Sequence, residues 1–345
     1  MHKFPYRWTL KDARFTKDKG KVFSCFACGG GSTMGYKLAG FDVIGCNEID
    51  PRMNKVYVAN HHPRLNYLCD IREMVTKELP DELYHLDVLD GSPPCSSFSM
   101  AGSREDDWGK KKKFREGQAE QVLDTLFFDF IALAKRLQPK IVIAENVKGL
   151  LLGEAMDYVR RIYEAFDNAG YIVTHTLCDA SMMGVPQRRE RVFFTAIRKD
   201  LFDYIPQRHD LFDAYPDIDL AFNEEPITCR ECNFELGKDI RACFLRDYEK
   251  LKKGETPKYL QSGLVSLDQV HPTITAKYSW AAAPMPDWEP KWLSERDMCL
   301  ASTFPLDYDL GDQHAQYICG MRVPPVMMAQ VASRVYEQWL SKFPE

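Results

Sequence analysis

The fold is decided by the stretch KVFSCFACGGGSTMGYKLAGFDVIGCNEID, residues 21–50. Its first six residues form an apolar run typical of a buried strand, and Gly29-Gly30-Gly31 follows shortly after. Residues 32–39 have helical spacing, and residues 41–46 predict a second strand that leads to Glu48. A strand, a glycine turn, a helix and another strand predict the start of a parallel α/β sheet.

The same alternation of strands and helices continues along the chain. Apolar runs predict strands at 86–90, 141–144, 171–173 and 192–197, and helical spacing predicts helices at 123–137 and 158–169. The predicted fold class is therefore a doubly wound, Rossmann-like α/β sheet. Such sheets bind ligands beyond the carboxyl ends of their strands. Because Glu48, Cys95 and Glu145 follow predicted strands, we expect them to converge on one crevice.

Beyond Lys199 the alternation ends. The segment that follows is rich in acidic residues, proline and aromatic residues, and it has no regular strand–helix rhythm. We therefore expect residues 1–199 to form a large domain and residues 200–289 to form a second, smaller domain. The spacing of residues 323–340 predicts a helix near the end of the chain, and Pro324-Pro325 marks its start.

Composition limits the class of protein. The chain has 345 residues, 45% of them hydrophobic and 28% charged, which is ordinary for a globular protein. It contains neither an apolar run of about 20 residues nor a secretory signal, so we expect a cytoplasmic protein with reduced cysteines. A net charge of −5 argues weakly against a nucleic-acid partner. Basic residues are nevertheless concentrated in residues 110–113 and 188–191.

Three short motifs bring together residue types that perform chemistry. They are GSPPCSSFS (91–99), ENV (145–147) and QRRER (187–191). The thiol of the first motif can act as a nucleophile, the carboxyl of the second as a general acid, and the clustered guanidiniums of the third can bind an anion. The order and wording of these motifs resemble the DNA (cytosine-5) methyltransferase family. The likeness runs from Val22 to Val331, which is nearly the whole chain.

The resemblance implies catalytic roles for Cys95, Glu145, Arg189 and Arg191. Cytosine C5 is a poor nucleophile until a group adds to C6, and Cys95 would supply the thiolate that adds there. Glu145 would hydrogen-bond at N3, and the two arginines would hold O2 and a nearby phosphate. The base would have to be flipped out of double-stranded DNA, and residues 96–121 would close over it as a lid.

The resemblance also implies roles for the two predicted domains. The smaller domain would choose the DNA sequence, and the C-terminal segment, residues 290–345, would complete the large domain. The predicted protein is an enzyme of the restriction-modification, solitary or phage type. A cognate restriction endonuclease is a candidate partner, and we expect a monomer without a membrane association.

S-adenosylmethionine (SAM) is the cofactor that the resemblance implies, although the glycine turn alone would equally suit a dinucleotide. In the family, such a turn holds the methionine end, an acidic residue holds the ribose, and an Asp contacts the adenine. The predicted cofactor-binding residues are Phe26, Cys28, Gly29, Gly30, Gly31, Glu48, Ile49, Asp70, Ile71, Pro94, Leu126, Met321 and Val323.

The sequence departs from the family in three cofactor motifs. Cys28 replaces the first glycine of the turn, Leu123-Asp124 replaces an Arg-Gly pair, and Met321 replaces an Asn. Arg322 follows Met321, and a guanidinium beside the sulfonium would attract an additional carboxylate. An enzyme that uses a carboxylated analogue of SAM is therefore one alternative function.

Other functions also stay open at this stage. They are the tRNA-methylating branch of the family, a catalytically inactive DNA-binding relative, and an NAD-dependent oxidoreductase on the same general fold. Cys229 and Cys232 form a Cys-x-x-Cys pair, but a structural zinc ion needs four ligands. Neither His209 nor Cys243 completes a recognisable spacing, so the sequence predicts no metal site.

Overall fold

The structure is a computed structural model, and it describes residues 2–94, 125–153, 155–209, 214–237, 253, 264–276, 281–283 and 291–344. The chain divides into two compact units. The sheet unit comprises Phe15–Cys178, Glu190–Ala221 and Ala329–Glu345. The second unit comprises Met1–Arg14, Asp179–Arg189 and Phe222–Met328.

In the described part of the sheet unit, seven strands form the main sheet. They are β1 (Lys21–Cys25), β2 (Asp42–Glu48), β3 (Leu65–Leu68), β4 (Val88–Gly91), β5 (Ile141–Val147), β6 (Tyr171–Asp179) and β7 (Glu190–Arg198). Their order is β3-β2-β1-β4-β5-β7-β6. The neighbours from β3 to β5 pair in parallel, and β7 runs antiparallel to β5. The predicted doubly wound, Rossmann-like fold is confirmed.

Helices connect these strands. They are α1 (Gly31–Leu38), α2 (Pro51–His61), α3 (Ile71–Thr76), α4 (Leu126–Leu137) and α5 (Ala155–Asn168). The apolar spacing of α4 buries Phe127, Phe130 and Leu133 completely, which explains why this segment is helical. A Cβ on Gly91 would lie 2.5 Å from the Phe130 ring, so only glycine allows α4 to pack this closely on β4.

The parallel register brings several strand ends to the same edge of the sheet. Cys25 of β1 pairs with Gly91 of β4, and Gly91 pairs in turn with Ala144 of β5. On the other side of β1, Glu48 of β2 pairs with Leu68 of β3. The segments that follow β1, β2, β3 and β4 therefore leave the sheet at its carboxyl edge, where ligands of such folds bind.

Helix α2, strand β3 and helix α3 lie in a stretch for which the sequence analysis predicted no element. Pro51 occupies the first turn of α2 and the Asp50 side chain caps it, so the start signal was present. The buried face of α2 carries Asn54 and His61 among its apolar residues. Because these polar residues weaken the apolar periodicity, the pattern did not reveal the helix.

The described part of the second unit contains a small sheet and two helices. Its elements are β10 (Leu264–Ser266), β11 (Ala281–Ala283), β12 (Lys291–Trp292), α6 (Glu295–Ala301) and α7 (Ala315–Met321). Strand β10 pairs parallel to β11, which pairs antiparallel to β12. Ser294 and Asp297 form a capping box at the start of α6. Helix α8 (Pro325–Gln338) begins in this unit and ends in the sheet unit.

The N-terminal residues belong to the second unit rather than to the sheet unit. Trp8 is 8% exposed, and its Nε1 donates to the main-chain oxygen of Thr303 at 2.9 Å. The main-chain nitrogens of Leu10 and Lys11 both donate to the carboxylate of Asp307, at 2.6 and 3.1 Å. The second unit is therefore assembled from segments that are far apart in the sequence.

The two units do not follow the boundaries predicted at residues 199/200 and 289/290. Strands β8 (Gln207–His209) and β9 (Ala214–Pro216) pair antiparallel and belong to the sheet unit. Residues 290–328, the larger part of the predicted C-terminal segment 290–345, belong to the second unit. The functional division into a catalytic domain and a target-recognition domain stays a prediction.

Candidate active site

The glycine turn after β1 has an unusual main-chain path. Phe26, Cys28 and Gly30 have φ angles of 53°, 43° and 82°, all in the left-handed region that favours glycine. The turn leads directly into α1, whose N-cap is Gly30. The main-chain nitrogen of Gly30 donates to the Ala27 oxygen at 2.8 Å, and the Ala27 nitrogen donates to the Asn47 oxygen at 3.0 Å, so hydrogen bonds fix the path of the turn.

Glu48, at the end of β2, faces this turn. Its Oε2 accepts from the Cys28 main-chain nitrogen at 2.5 Å, and its Oε1 accepts from Ile49 and Asp50 nitrogens at 2.9 and 2.8 Å. The residue is 6% exposed. Three main-chain donors therefore fix the orientation of this carboxylate beside the turn.

Next to Glu48, the edge of the sheet exposes apolar side chains. Ile49 is 38% exposed and Leu68 is 49% exposed, and the main chains of Glu48 and Cys69 are joined by a hydrogen bond of 3.1 Å. Large apolar residues at the carboxyl ends of adjacent parallel strands offer a surface for a flat ring.

Asp70 caps α3 and forms a two-point contact with Arg72. Arg72 Nε lies 2.9 Å from one carboxylate oxygen of Asp70, and Arg72 Nη2 lies 2.5 Å from the other. The hydrogen bond from Arg72 holds the pKa of Asp70 below its usual value. Arg72 was not among the predicted site residues, and no motif in the sequence would have identified it.

The other predicted cofactor residues have different surroundings. Ile71 and Leu126 are 2% and 4% exposed and belong to the main hydrophobic core. Met321 ends α7 and Val323 is 1% exposed, and both belong to the second unit together with Arg322. The structure therefore brings Phe26, the glycine turn, Glu48, Ile49 and Asp70 to the ends of β1, β2 and β3, and it places Met321 and Val323 in the other unit.

The proposed nucleophile Cys95 and the predicted lid, residues 96–121, lie outside the described residues, as do Leu123 and Asp124. The structure does describe how the preceding turn is held. Asn146 of β5 donates through Nδ2 to the main-chain oxygen of Pro93 at 3.1 Å. Asn146 is 4% exposed, so this bond joins β5 firmly to the turn that precedes Cys95.

Glu145 lies inside β5 rather than after its end, and it forms an ion pair with Arg191 of β7. Arg191 Nε is 2.7 Å from Glu145 Oε1, and the two side chains are 14% and 11% exposed. Burial lowers the pKa of Arg191, and the charge of Glu145 acts against that change. Arg191 also donates to the main-chain oxygen of Glu190 at 2.7 Å, which orients its guanidinium.

Arg189, only two residues earlier, has a different environment in the second unit. It is 1% exposed, and its guanidinium donates to the main-chain oxygens of Ile274 and Gly320 at 3.1 and 2.9 Å. Gln187 is fully buried; its Nε2 donates to Ser302 Oγ at 2.9 Å, and its Oε1 accepts from the Ile274 main-chain nitrogen at 3.1 Å. In the structure, Arg189 therefore hydrogen-bonds to the main chain of the second unit. Its predicted contact with the target base or a phosphate stays a prediction.

Cys229 and Cys232 are both fully buried in the second unit. Burial raises the pKa of Cys229 to about 12, which favours the protonated thiol. Among the residues that the structure describes, no group of three or more His, Cys, Asp or Glu side chains has the geometry to hold a metal ion. His209 lies on β8 in the sheet unit, and Cys243 lies outside the described residues.

Gly30→Ala is expected to disrupt the glycine turn. Gly30 has a φ of 82°, and a Cβ there would lie 1.9 Å from His61 Nε2. Gly153 has a φ of 61° but no described atom within 4 Å of its Cβ position, so Gly153→Ala introduces the strain without the clash. We expect Gly30→Ala to lower the thermal midpoint by about 5 °C more than Gly153→Ala does. Equal midpoints would show that the turn adapts to a side chain.

The parallel sheet with its antiparallel strand β7, and the glycine turn at its carboxyl edge, define an α/β fold of the Rossmann-like methyltransferase class. The chain belongs to the C-5 cytosine-specific DNA methylase family, whose model matches residues 20–337. The predicted family is therefore confirmed. No helix in the described part of the chain is both long and apolar enough to cross a membrane.

Several curated proteins are similar to this chain. The type II methyltransferase M.FnuDI of Fusobacterium nucleatum is 39% identical over 184 residues, which are 52% of this chain and 48% of that protein. M.NgoPII of Neisseria gonorrhoeae is 38% identical over 182 residues, 52% of this chain and 49% of that protein. The orphan methyltransferase M.SPRI of Bacillus phage SPR is 35% identical over 164 residues, 47% of this chain and 34% of that protein. The chain thus spans about half the length of the first two relatives and 34% of the third.

Solved structures share the fold along most of the chain. A DNMT2 mutant of Spodoptera frugiperda has a TM-score of 0.64 and 16% identity, covering 92% of this chain and 99% of that one. A prophage-encoded protein of E. coli, described as a DNA modification methyltransferase, has a TM-score of 0.63 and 19% identity, with the same coverage. At these identities the likeness establishes the fold alone.

Proposed function

We propose that the protein transfers a methyl group from SAM to C5 of a cytosine flipped out of double-stranded DNA, through a covalent bond between Cys95 and C6. Membership of the family supports this reaction. The observation that carries the proposal is the buried Glu145–Arg191 ion pair, 2.7 Å long, between β5 and β7. Strand β5 pairs with β4, the strand that leads into the turn before Cys95. Because a buried pair of this kind is costly to desolvate, its retention beside that turn favours a chemical role.

The proposed cofactor site lies at the ends of β1, β2 and β3. The glycine turn would hold the methionine end of SAM, and Glu48 would hold the ribose hydroxyls. Ile49 and Leu68 offer apolar surface to the adenine ring, and Asp70 offers its carboxylate to the adenine amino group. When bound, SAM supplies the electrophilic methyl group. The residues present fit such a ligand, because a fixed carboxylate, a close-approach turn and exposed apolar surface lie together.

The side chains of the protein would activate the base. The Cys95 thiolate attacks C6, the C5–C6 double bond opens, and electron density moves towards N3. When the base is bound, Glu145 takes up a proton from solvent and donates it in a hydrogen bond to N3, which stabilises the resulting enamine. Arg191 holds Glu145 in position and contacts O2. After C5 receives the methyl group, a base removes the C5 proton and the thiolate leaves C6. Asn146 would keep the turn before Cys95 aligned with β5 through its bond to Pro93.

A trapping experiment tests the covalent step. Duplex DNA that contains 5-fluorocytosine at the methylated site is expected to form a stable adduct with the protein in the presence of SAM, because fluorine cannot leave C5 as a proton does. The adduct is detected by mass spectrometry, and the same duplex with unmodified cytosine serves as the control. Absence of an adduct at a confirmed target site would count against attack at C6.

The nucleic acid is tested by incubating the protein with methyl-labelled SAM and either duplex DNA or tRNA. We expect label in the DNA, at position 5 of cytosine. In the cell, we propose that the protein acts in the cytoplasm. Label in tRNA alone would favour the tRNA-methylating alternative. Failure to bind SAM at all would favour a catalytically inactive DNA-binding protein. Residues 200–289 stay the proposed source of sequence choice, and the protein is proposed to act as a monomer.

A further inference from the structure

A buried polar cluster lies behind the glycine turn, and the proposed chemistry does not use it. Its members are Thr33 and Lys37 of α1 and Tyr57 and His61 of α2, all in the sheet unit. Thr33 Oγ1 and Tyr57 Oη are 2.9 Å apart, and the Tyr57 and His61 rings pack with their centroids 4.3 Å apart. Tyr57 and Thr33 are fully buried, and His61 is 7% exposed. The cluster therefore joins the two helices next to the turn.

The imidazole of His61 directly contacts the turn. A Cβ on Gly30 would lie 1.9 Å from His61 Nε2, so this nitrogen fills the space in front of the Gly30 Cα. On the other edge of the ring, Lys37 Nζ is 3.3 Å from His61 Nδ1. Lys37 Nζ also donates to the main-chain oxygen of His61 at 3.3 Å, which caps the last turn of α2. One lysine therefore holds both the ring and the main chain of His61.

The contact with Lys37 determines which nitrogen of His61 carries the proton. A lysine ammonium has three donors and no acceptor, so Nδ1 must accept from it and a neutral ring must then carry its hydrogen on Nε2. Burial, followed by the charge of Lys37 and of His62, holds the pKa of His61 well below its usual value, so the ring is neutral. Burial also lowers the pKa of Lys37 to about 8, which leaves it mostly protonated at neutral pH. The charge of Lys17 also lowers the pKa of Lys37, whereas the charge of Asp42 raises it.

We propose that Lys37 and His61 form a positioning pair for the cofactor turn: Lys37 fixes the tautomer and orientation of the ring, and the Nε2 edge of His61, packed against Gly30, holds the main chain there in the shape that accepts SAM. This inference rests on the proposed function, because it assigns SAM to that turn. Neither residue touches the reacting atoms. The pair should therefore affect cofactor affinity and leave the chemical step nearly unchanged.

The test compares His61→Phe, which keeps the ring but removes both nitrogens, with Lys37→Met, which keeps the aliphatic stem but removes the ammonium. Both variants remove the hydrogen bond between Lys37 Nζ and His61 Nδ1. Its loss predicts an increase of about fivefold in the KM and the Kd for SAM, with kcat changed less than about twofold. The double variant should be no worse than the more severe single variant, because the two residues act through one another. Direct SAM binding is measured by calorimetry, and kinetics by labelled methyl transfer to duplex DNA.

His175→Phe is the matched control. His175 lies on β6 of the same unit, its burial lowers its pKa, and its Nδ1 is 2.7 Å from Tyr163 Oη, but it does not contact the glycine turn. It should leave SAM binding unchanged. An unchanged Kd in His61→Phe, or an equal loss in His175→Phe, would overturn the inference. If His61→Phe fails to fold, Lys37→Met alone decides, because Lys37 is only partly buried and its replacement should be tolerated. An unchanged Kd for SAM in Lys37→Met would then overturn the inference. Failure of the unmodified protein to bind SAM would instead overturn the proposed function.

Discussion

Cys95→Ala is expected to abolish methyl transfer to DNA and to leave SAM binding nearly unchanged. Without a thiolate, no group of the protein can add to C6, and C5 stays too electron-poor to accept a methyl group. The loss in kcat should be at least about a thousandfold. The residues proposed to hold SAM are Phe26, Glu48, Ile49 and Asp70, which are on other strand ends, so calorimetry should show a SAM affinity close to that of the unmodified protein.

Cys178→Ala is the control for this substitution. Cys178 is a buried thiol of β6 in the same unit, and its Sγ lies 3.7 Å from the main-chain oxygen of Leu220. Cys178→Ala removes a buried thiol outside the motif at residues 91–99, so methyl transfer should be retained. If Cys95→Ala methylates DNA at a rate comparable to that of Cys178→Ala, Cys95 has no part in the mechanism.

Glu145→Gln is expected to reduce both activity and stability. The amide cannot donate a carboxyl proton at N3, so kcat should fall by about a hundredfold. The change also removes the negative partner of Arg191, whose guanidinium is 2.7 Å away and 14% exposed. Leaving one charge of a buried pair uncompensated costs about 3 kcal/mol in the free energy of unfolding, which denaturant titration would measure.

Glu190→Gln is the matched control for that change. Glu190 of β7 pairs at 2.8 Å with Lys148, which directly follows β5, but the Glu190 and Lys148 side chains are 41% and 37% exposed. Water screens such a pair, so the free energy of unfolding should change by less than about 1 kcal/mol. A similar loss of stability in both variants would mean that burial does not distinguish the two pairs. Normal kcat in Glu145→Gln would remove Glu145 from the proposed chemistry.

The central strands could be predicted from the sequence because their burial is nearly complete. Strands β1, β4 and β5 are buried on both faces, and such strands appear as continuous apolar runs. The ends of elements were less predictable. Strand β5 continues through Glu145 to Val147, because its pairing with β7 extends to Arg191. That extension depends on a partner nearly 50 residues away, which local periodicity cannot reveal.

The sequence could not distinguish the roles of Arg189 and Arg191. Both matched the motif, and an alternating pattern would place residues two apart on the same face of a strand. In the structure β7 begins at Glu190, and the chain passes from the second unit to the sheet unit between Arg189 and Glu190. The two guanidiniums consequently have different partners, main-chain oxygens for one and a carboxylate for the other.

An exchange of the second unit between relatives would have to include the N-terminal residues that are built into it. A hybrid that swaps only residues 222–328 would leave Trp8 of one parent hydrogen-bonded towards Thr303 of the other, and Leu10 facing a foreign residue at position 307. Grafts that test the proposed recognition role should therefore include residues 1–14 and 179–189 from the same donor.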